Sequence, residues 1–425
     1  MRRKKNNLNK VLTSVILVMT SVLIVLIAIT YIDTNIINRN PESNSSNAPS
    51  DNNTSADNNA SEDVIGDVIG DDTEDVIRDS SDHMQEDTNE NVGSPGDDIE
   101  KVEDSLPEEP IVLTFAGDVN FDEDSKPVAR YDRENKKILG GISQDLVDEM
   151  NKADIFMLNN EFAYSTRGSE ITEKSYTFRA HPKRVDILKE MGVDIVSLAN
   201  NHALDFGQEA LLDTFTTLDE AGIDYVGAGS NMDRAKAPIY RTIGDTTIAY
   251  VAASHVIYAM DWYATDERPG MIGTYDPTLF LASIEEAKKN SDFVVAYVHW
   301  GKERTHDPVD YQKNLAKKYI DAGADAVIGC HPHVMQGLEF YKGKTIAYSL
   351  GNYWFNASKR ESGLLKIYVN PDGTTDTQLL PVMNDNTYTN LITEEKEREA
   401  YYKFMESISF NVEYDENGFV FEKSN

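Results

Sequence analysis

The sequence predicts an α/β protein in which sheets are covered by helices, and two features of the chain lead to this expectation. From Ile111 onward, short apolar runs alternate with amphipathic segments, as strands alternate with helices in α/β folds. Three amphipathic segments end in a glycine shortly before the next apolar run, at Gly192, Gly222 and Gly323, and glycine commonly follows the last turn of a helix. The expected architecture is therefore a sandwich of sheets with helices on the outside.

The predicted elements follow one another along this part of the chain. Runs rich in Val, Ile and aromatic residues predict strands, and apolar residues at three- and four-residue spacing predict helices. Strands are expected at 111–116, 155–158, 195–198, 225–227, 247–253, 293–299, 326–329, 345–350 and 364–369. Helices are expected at 142–152, 183–191, 208–221, 277–289, 309–322 and 394–407, with a last strand near Phe419.

The amino terminus predicts a membrane anchor. Residues 1–10 carry five basic residues and no acid, and residues 11–32 are uncharged and dominated by Val, Leu, Ile and Met, long enough to cross about 30 Å of hydrocarbon as a helix. A cleaved secretory signal is the competing interpretation, but its apolar core would be about 7 to 15 residues long and would end in a small-residue cleavage site. We expect an uncleaved, single-pass signal anchor in the cell membrane. The positive-inside rule then places residues 1–10 in the cytoplasm and the rest of the chain outside.

Residues 33–110 predict a disordered acidic linker, because 23 acids against three bases with few apolar residues cannot offset the entropy of ordering. Its Asp-Val-Ile repeat could instead bind a partner. The whole chain carries −33, which excludes nucleic-acid binding through a basic face, and the single cysteine excludes an intrachain disulfide. Residues 111–373 are expected to form the main domain, and residues 374–425 an extension packed on it.

Polar clusters stand at the carboxyl ends of five predicted strands, where α/β sheets bind ligands. Asp, Asn, Glu and His together match the ligand preferences of divalent metals such as Zn²⁺, Mn²⁺ or Fe²⁺, and a mixed set can hold two ions. Five unrelated polar loops are the alternative. The clusters contain Asp118 and Asn120; Asn159 and Glu161; Asn201, His202 and Asp205; His299 and Glu303; and His331 and His333.

His202 is expected to act in proton transfer. Oriented by the carboxylate of Asp205, it could donate a proton to a leaving oxygen. Asp205 could instead cap the helix that starts near Gly207. Cys330 is expected to be buried packing, with its side chain alternating away from the two neighbouring histidines.

Six motifs carry a family resemblance: GDVNFD at Gly117, NNE at Asn159, SLANNHALDFG at Ser197, HWGKE at His299, GCHPHVMQ at Gly329 and YSLGNYWF at Tyr348. Together, and in this order, they resemble the CapA (PgsA) family of poly-γ-glutamate capsule synthesis proteins. That family is in turn similar to calcineurin-like metallophosphoesterases. The resemblance implies a four-layer α/β/β/α sandwich with a site for two divalent ions, of which Mn, Zn, Fe and Mg are the candidates.

The resemblance also implies roles for single residues. Asp118, Asn120, Glu161, Asn201, His299, His331 and His333 stand where the phosphoesterases have metal ligands, and His202 stands where they have the catalytic acid. Asn120 and Glu161 replace the usual histidine and aspartate, which leaves the occupancy of the two metal positions open. Candidate substrate-binding residues are Asn159, Arg179, Glu303 and Arg304, since an arginine fork can bind a carboxylate or phosphate. A solvated arginine is the alternative for Arg179 and Arg304.

Three functions fit these expectations. The first is an outward-facing component of poly-γ-glutamate capsule synthesis, export or attachment, whose partners are the membrane, other capsule synthase subunits and the anionic polymer. The second is a general metal-dependent phosphoesterase with His202 as its acid. The third is a scaffold of the synthase complex without catalysis, so enzymatic activity is left open.

Overall fold

The computed structural model describes residues 109–423. The predicted anchor at 11–32 and nearly all of the predicted linker at 33–110 lie outside the described residues. Within residues 109–423, no helix combines the length and the apolar character needed to cross a membrane.

Strands and helices alternate over much of the described chain up to residue 330, and strands alone follow from there to residue 391. The strands are β1 Ile111–Val119, β2 Ile155–Asn160, β3 Ala163–Tyr164, β4 Arg179–Ala180, β5 Ile195–Ser197, β6 Asp224–Val226, β7 Ala228–Gly229, β8 Ile239–Ile243, β9 Thr246–Ser254, β10 Gly270–Met271, β11 Phe293–His299, β12 Ala326–Cys330, β13 Met335–Tyr341, β14 Lys344–Leu350, β15 Asn352–Trp354, β16 Arg360–Val369, β17 Thr375–Asn384, β18 Thr389–Leu391, β19 Val412–Tyr414 and β20 Val420–Glu422. The α-helices are α1 Lys126–Glu134, α2 Gln144–Met150, α3 Val185–Met191, α4 Gly207–Ala221, α5 Met232–Lys236, α6 Thr278–Lys289, α7 Asp310–Asp321 and α8 Glu395–Ile408.

The larger sheet has eight strands in the order β18-β17-β16-β1-β2-β5-β6, with β15 beside β1. Strands β1, β2, β5 and β6 are parallel, so their carboxyl ends share one edge of the sheet. Strand β17 pairs with β16 in antiparallel register from Thr375 to Asn384. The predicted boundary at residue 373 therefore falls in the turn between two paired strands. The first part of the predicted extension is a strand of the main sheet.

The smaller sheet has six strands in the order β13-β14-β12-β11-β9-β8, and its middle strands β9, β11, β12 and β14 are parallel. Its side chains divide between two cores with period two. In β11, Val295 and Tyr297 join the core shared with the larger sheet, whereas Val294 and Ala296 join a second core with helices α6 and α7. This alternation is what a strand buried on both faces requires. The smaller sheet thus lies between the larger sheet and a layer of helices.

Helices also pack against the larger sheet. Apolar residues of α2, α3 and α4, among them Leu146, Leu188 and Leu211, belong to the core that contains β1 and β2. These helices end at Asn151, Gly192 and Gly222, and the last two adopt the left-handed conformation that glycine accepts without strain. The fold is therefore a mixed α/β sandwich, as the sequence predicts.

The two sheets approach each other closely at the edge where the polar clusters lie. A Cβ atom on Gly117 would lie 2.0 Å from the carbonyl oxygen of Gly351, so only glycine fits there. The Tyr297 hydroxyl of the smaller sheet donates a hydrogen bond of 2.7 Å to the carbonyl of Ala116 in the larger one. These contacts bring the carboxyl ends of both parallel strand groups to one place.

Candidate metal centre

The strand ends of both sheets bring the predicted ligands together. Asp118 lies in β1 and Glu161 directly follows β2, while His299 ends β11 and the His331–His333 segment follows β12. Because parallel strands end at the same edge, residues far apart in sequence meet there. Three groups of side chains have ligand atoms that all lie within 4.8 Å of one another. They are Asp118, His299 and Cys330; Glu161, His299 and His331; and Asp118, Glu161 and His333.

The carboxylate of Glu161 lies at the middle of this cluster. Its Oε1 is 3.8 Å from Nε2 of His299, 3.8 Å from Nε2 of His333 and 3.9 Å from Nε2 of His202. These separations are too long for hydrogen bonds. Within the described chain, Oε1 of Glu161 and Nδ1 of His331 are buried and have no hydrogen-bond partner. Buried ligand atoms without partners are what a cation would satisfy, so the residues present fit a divalent metal.

Asn201 and His299 point at one position from different sheets. Oδ1 of Asn201 lies 2.6 Å from Nε2 of His299, and Asn201 is the residue after Asn200 in the loop that follows β5. Two ligand atoms bound to one ion at about 2.1 Å each would lie about 3 Å apart in an octahedral or tetrahedral site. At 2.6 Å the two atoms are at hydrogen-bonding distance, and binding one ion together would require them to move apart by a few tenths of an ångström.

Cys330 contacts the cluster through His299 of the neighbouring strand. Its sulfur is buried and lies 3.2 Å from Nδ1 of His299, because His299 and Cys330 are paired across β11 and β12. The sequence predicts a buried Cys330, and the residue is fully buried; the contact with His299 on the neighbouring strand is one that the sequence did not predict. Burial raises the pKa of the Cys330 thiol well above its usual value, so the sulfur is a neutral neighbour of His299 in the metal-free protein.

The electrostatics of the metal-free cluster are unfavourable for charge of either sign. Burial, and then the charge of Asp118, raises the pKa of Glu161 well above its ordinary value. Burial also raises the pKa of Asp118 and lowers the pKa values of His299 and His331 well below the usual range. Neutral imidazoles are the form that binds metals, and a cation would favour ionisation of the two carboxyl groups. The cluster therefore favours the binding of a cation.

The loop that carries His331 and His333 has a strained backbone. His331 has φ of 96° and His333 has φ of 57°, both in the region that residues with a Cβ rarely adopt. The loop is held by the hydrogen bond from the amide of His331 to Oδ2 of Asp118, at 3.2 Å, and by the contact of 2.8 Å between Nδ1 of His333 and Oδ1 of Asn352. Strain of this kind persists where surrounding contacts fix a functional geometry.

His202 is held by Asp205 and Lys174. Nδ1 of His202 lies 2.6 Å from Oδ2 of Asp205, which also accepts a hydrogen bond of 2.8 Å from the amide of Phe178. Helix α4 begins at Gly207 without a side-chain cap, so the alternative in which Asp205 caps it does not hold. Burial lowers the pKa of His202 to about 4, so its ring is neutral at pH 7 with Nε2 facing Glu161.

Lys174 is a site residue that the sequence did not indicate. Its ammonium donates to Oδ1 of Asp205 at 2.5 Å and to the carbonyl of Asn201, and it lies 3.0 Å from Nδ1 of His202. Its side chain is only 9% exposed. Nothing in the local sequence distinguishes Lys174 from a solvated loop lysine, because its partners are more than 25 positions away.

Three predicted residues have other partners than those expected. Oδ1 of Asn120 accepts a hydrogen bond of 2.7 Å from the amide of Asp122, and its role as a metal ligand stays a prediction. Asn159 is fully buried and donates to Oδ1 of Asp118 at 2.7 Å, so it positions a ligand and does not face the substrate cavity. Arg179 lies over the ring of Phe206 and donates to the carbonyl of Arg167 at 3.3 Å, and its role in substrate binding stays a prediction.

A cavity of about 340 Å³ opens onto the cluster. His202 and His333 line its inner end, and the predicted substrate residues Glu303 and Arg304 line its rim. The rings of Phe178 and Phe355 lie against these histidines in tilted orientations, with centroids 4.2 Å from His202 and 4.9 Å from His333. The remaining lining residues are Tyr176, Asn352, Asn356, Ala357, Ser358 and Arg360.

Comparisons with known proteins identify relatives of this chain. A family model described as bacterial capsule synthesis protein PGA_cap matches residues 112–357. The PGA biosynthesis protein CapA of Bacillus subtilis (strain 168) is 36% identical over 214 residues, which are 49% of this chain and 56% of that protein. The capsule biosynthesis protein CapA of Bacillus anthracis is 35% identical over 217 residues, which are 49% of this chain and 52% of that protein. Among solved structures, a novel phosphatase of Mycoplasma pneumoniae aligns with a TM-score of 0.43 and 12% identity over 66% of this chain and 96% of that one. The chain spans about half the length of the curated relatives it matches.

Proposed function

The chain belongs to the PGA_cap family of bacterial capsule synthesis proteins, and from that membership we propose that it acts in poly-γ-glutamate capsule production through a divalent-metal centre. The observation that supports the metal centre is the unpartnered, buried Oε1 of Glu161 facing three imidazole nitrogens. Buried carboxylates without a cation are costly, and these ligand types suit Mn²⁺, Zn²⁺ or Fe²⁺.

Two overlapping groups of ligands are available for one or two ions. Asp118, Glu161 and His333 form one group, and Glu161, His299 and His331 form the other, with Asn201 beside His299. Glu161 is common to both groups and is therefore the candidate bridging ligand. A bound divalent ion would supply Lewis-acid polarisation of a carbonyl or phosphoryl oxygen.

His202 would handle the proton in a reaction at this centre. Its Nδ1 is occupied by Asp205, so Nε2 is the nitrogen that faces the cluster, and its neutral ring can accept a proton there and return it to a leaving group. Phe178 covers one face of the ring and excludes water from it. The arrangement supports hydrolysis or transfer at a bond of the polymer.

Location at the outer face of the membrane is part of the same proposal. It rests on the uncharged segment 11–32 behind five basic residues and on the acidic segment 33–110 that would space the domain from the membrane. Other capsule synthase subunits are the proposed membrane partners. An acidic domain that handles a polyanion also needs bound cations to offset repulsion, which links the metal centre to this substrate.

Metal analysis of the purified full chain tests the proposal. We expect bound divalent metal in the wild type and loss of most of it in His331→Ala, measured by elemental analysis after dialysis. His181→Ala is the matched control, since His181 caps a short 3-10 turn and has no contact with the cluster. Glu161→Gln, which keeps the side-chain shape, covers the case in which His331→Ala fails to fold. A wild type that binds no divalent metal while folded would refute the metal centre.

Assays of capsule and of phosphate release separate the remaining functions. We expect cells that carry only His202→Ala to make little capsule, with normal levels of the protein. Normal capsule in these cells, together with its loss on deleting residues 11–32, would assign a scaffold without catalysis. Release of phosphate from model esters that is abolished by His202→Ala would assign a general phosphoesterase.

A further inference from the structure

Two arginines at the rim of the metal cavity are without partners among the described residues. Residues 109–423 contain eleven arginines, and nine of them form an ion pair or a side-chain hydrogen bond. The other two are Arg304 and Arg360, and both line the cavity that opens onto His202 and His333. Both arginines therefore lie in one cavity of a domain that is strongly acidic, since residues 111–425 carry a net charge of −18.

Both arginines are anchored through their backbones. The amide of Arg304 donates a hydrogen bond of 2.8 Å to the carbonyl of Pro332, which lies between the two histidines of the ligand loop. Arg304 also has φ of 61°, so its backbone shares the strain of His331 and His333. Arg360 begins β16, where it pairs with Asn384. The backbones are fixed relative to the metal cluster while the guanidinium groups remain available.

The loop beneath Arg360 is fixed by a buried amide. Nδ2 of Asn384 donates to the carbonyls of Asn352 and Phe355, each at 3.3 Å. Asn352 in turn contacts His333, so the segment that carries one wall of the cavity is joined to the ligand loop. Both walls of the cavity are thus joined to the ligand loop, one at Pro332 and the other at His333.

We propose that Arg304 and Arg360 form a carboxylate subsite that holds a γ-linked glutamyl chain in the cavity beside the metal cluster. This inference rests on the proposed function and names the groups that recognise the substrate. A γ-glutamyl chain carries a free carboxylate on every unit, separated by methylene groups. Guanidinium groups bind carboxylates with two parallel hydrogen bonds, and the rings of Phe178 and Phe355 offer an apolar surface to the methylenes.

Glu303 places a negative charge at the rim of the cavity. It is exposed at the same rim, where its carboxylate repels an anionic chain and attracts the two guanidinium groups. Removing that charge at constant shape, with Glu303→Gln, should therefore strengthen binding of a polyanion. A cavity that prefers cationic ligands would instead lose affinity for its ligand on this substitution.

Binding of a short γ-linked glutamate oligomer to the purified, metal-loaded full chain tests the inference. We expect Arg304→Ala/Arg360→Ala to weaken binding by about tenfold or more at low salt, since each arginine loses a charge-assisted contact. Arg133→Ala is the matched control, because Arg133 is exposed and pairs with Glu134 away from the cavity. Glu303→Gln should bind the oligomer more tightly than the wild type.

Several outcomes overturn the subsite. These are a wild type that does not bind the oligomer, a double variant that binds as well as Arg133→Ala, and a wild type that binds inorganic phosphate more tightly than the oligomer. Metal content measured on the same samples separates this failure from failure of the metal centre. The double variant should keep its metal, whereas His331→Ala should lose it, so an intact metal site with unchanged oligomer binding refutes the arginines alone.

Discussion

Replacing Glu161 with glutamine should stabilise the metal-free protein and abolish its stabilisation by metal. Glu161 is fully buried, and burial together with the nearby charge of Asp118 raises the pKa of its carboxyl group well above the ordinary value. The unfolded chain has an ordinary glutamate, so over the pH range between the two pKa values the folded protein binds more protons. The contribution of Glu161 to the free energy of unfolding therefore falls as pH rises through this range.

The size of the stability change follows from the slope of the free energy of unfolding against pH. A difference of one bound proton changes the free energy of unfolding by about 1.4 kcal/mol per pH unit. For the 315 residues from 109 to 423 this corresponds to roughly 2 °C in melting temperature per pH unit. Glutamine keeps the shape and removes the ionisation, so Glu161→Gln should lose most of this slope. Conversely, a metal at a hundred times its dissociation constant adds about 2.7 kcal/mol to the wild type, which the variant should not gain.

Thermal melts of the full chain with chelator and with added Mn²⁺, between pH 5 and 8, measure both effects. The buried, neutral His202, His299 and His331 add a slope of the opposite sign below about pH 7, so the Glu161 effect is measured as the difference between the wild type and Glu161→Gln in chelator. The wild type should lose stability relative to the variant as pH rises, and Mn²⁺ should restore it. Glu220→Gln, an exposed substitution on helix α4, should behave as the wild type does. A Glu161→Gln variant that melts lower than the wild type in chelator, yet still rises with Mn²⁺, would refute the assignment of Glu161 to the metal.

Two further predictions concern the stability of the sandwich. Lys366→Ala should lower the free energy of unfolding by about 2 kcal/mol in urea melts, because the side chain of Lys366 is 2% exposed and its ammonium donates to Glu149 at 2.6 Å. The substitution leaves the carboxylate of Glu149 with Lys152 as its partner. A loss no larger than that of the exposed Lys403→Ala would contradict this. Gly117→Ala should cost about 3 kcal/mol in the same assay, since its Cβ would meet the carbonyl of Gly351 at 2.0 Å, whereas a fully tolerated alanine would mean that the two sheets are not locked there.

The alternating pattern was sufficient for most elements of the fold. The predicted helices at 208–221, 277–289 and 309–322 match α4, α6 and α7 within one residue at either end. Strand β17 was not predicted, because TDTQLLPVMN mixes polar residues with Pro381, and proline is normally confined to sheet edges. Its neighbour β18 pairs only with residues 382–384, so Pro381 lies just beyond that ladder.

The convergence of the candidate ligands also follows from the sequence. Strand ends were predicted to carry Asp118, Glu161, His299, His331 and His333, and the parallel order of the strands brings these side chains within a few ångströms. The direction in which a polar side chain points from a loop does not follow from the sequence. Asn120 accepts a hydrogen bond from the amide of Asp122, and Arg179 lies over the ring of Phe206. Neither contact can be predicted from a periodic pattern in the sequence.

The sequence by itself therefore determined the sandwich, the strands that end in polar groups and the residue types suited to a metal. Tertiary structure decided which of those groups face one another, and it added Lys174 and Arg360 from segments without a distinguishing pattern. The physical reason is that strand and helix periodicity is set by local backbone geometry, whereas loop side chains settle on partners that folding brings from distant positions.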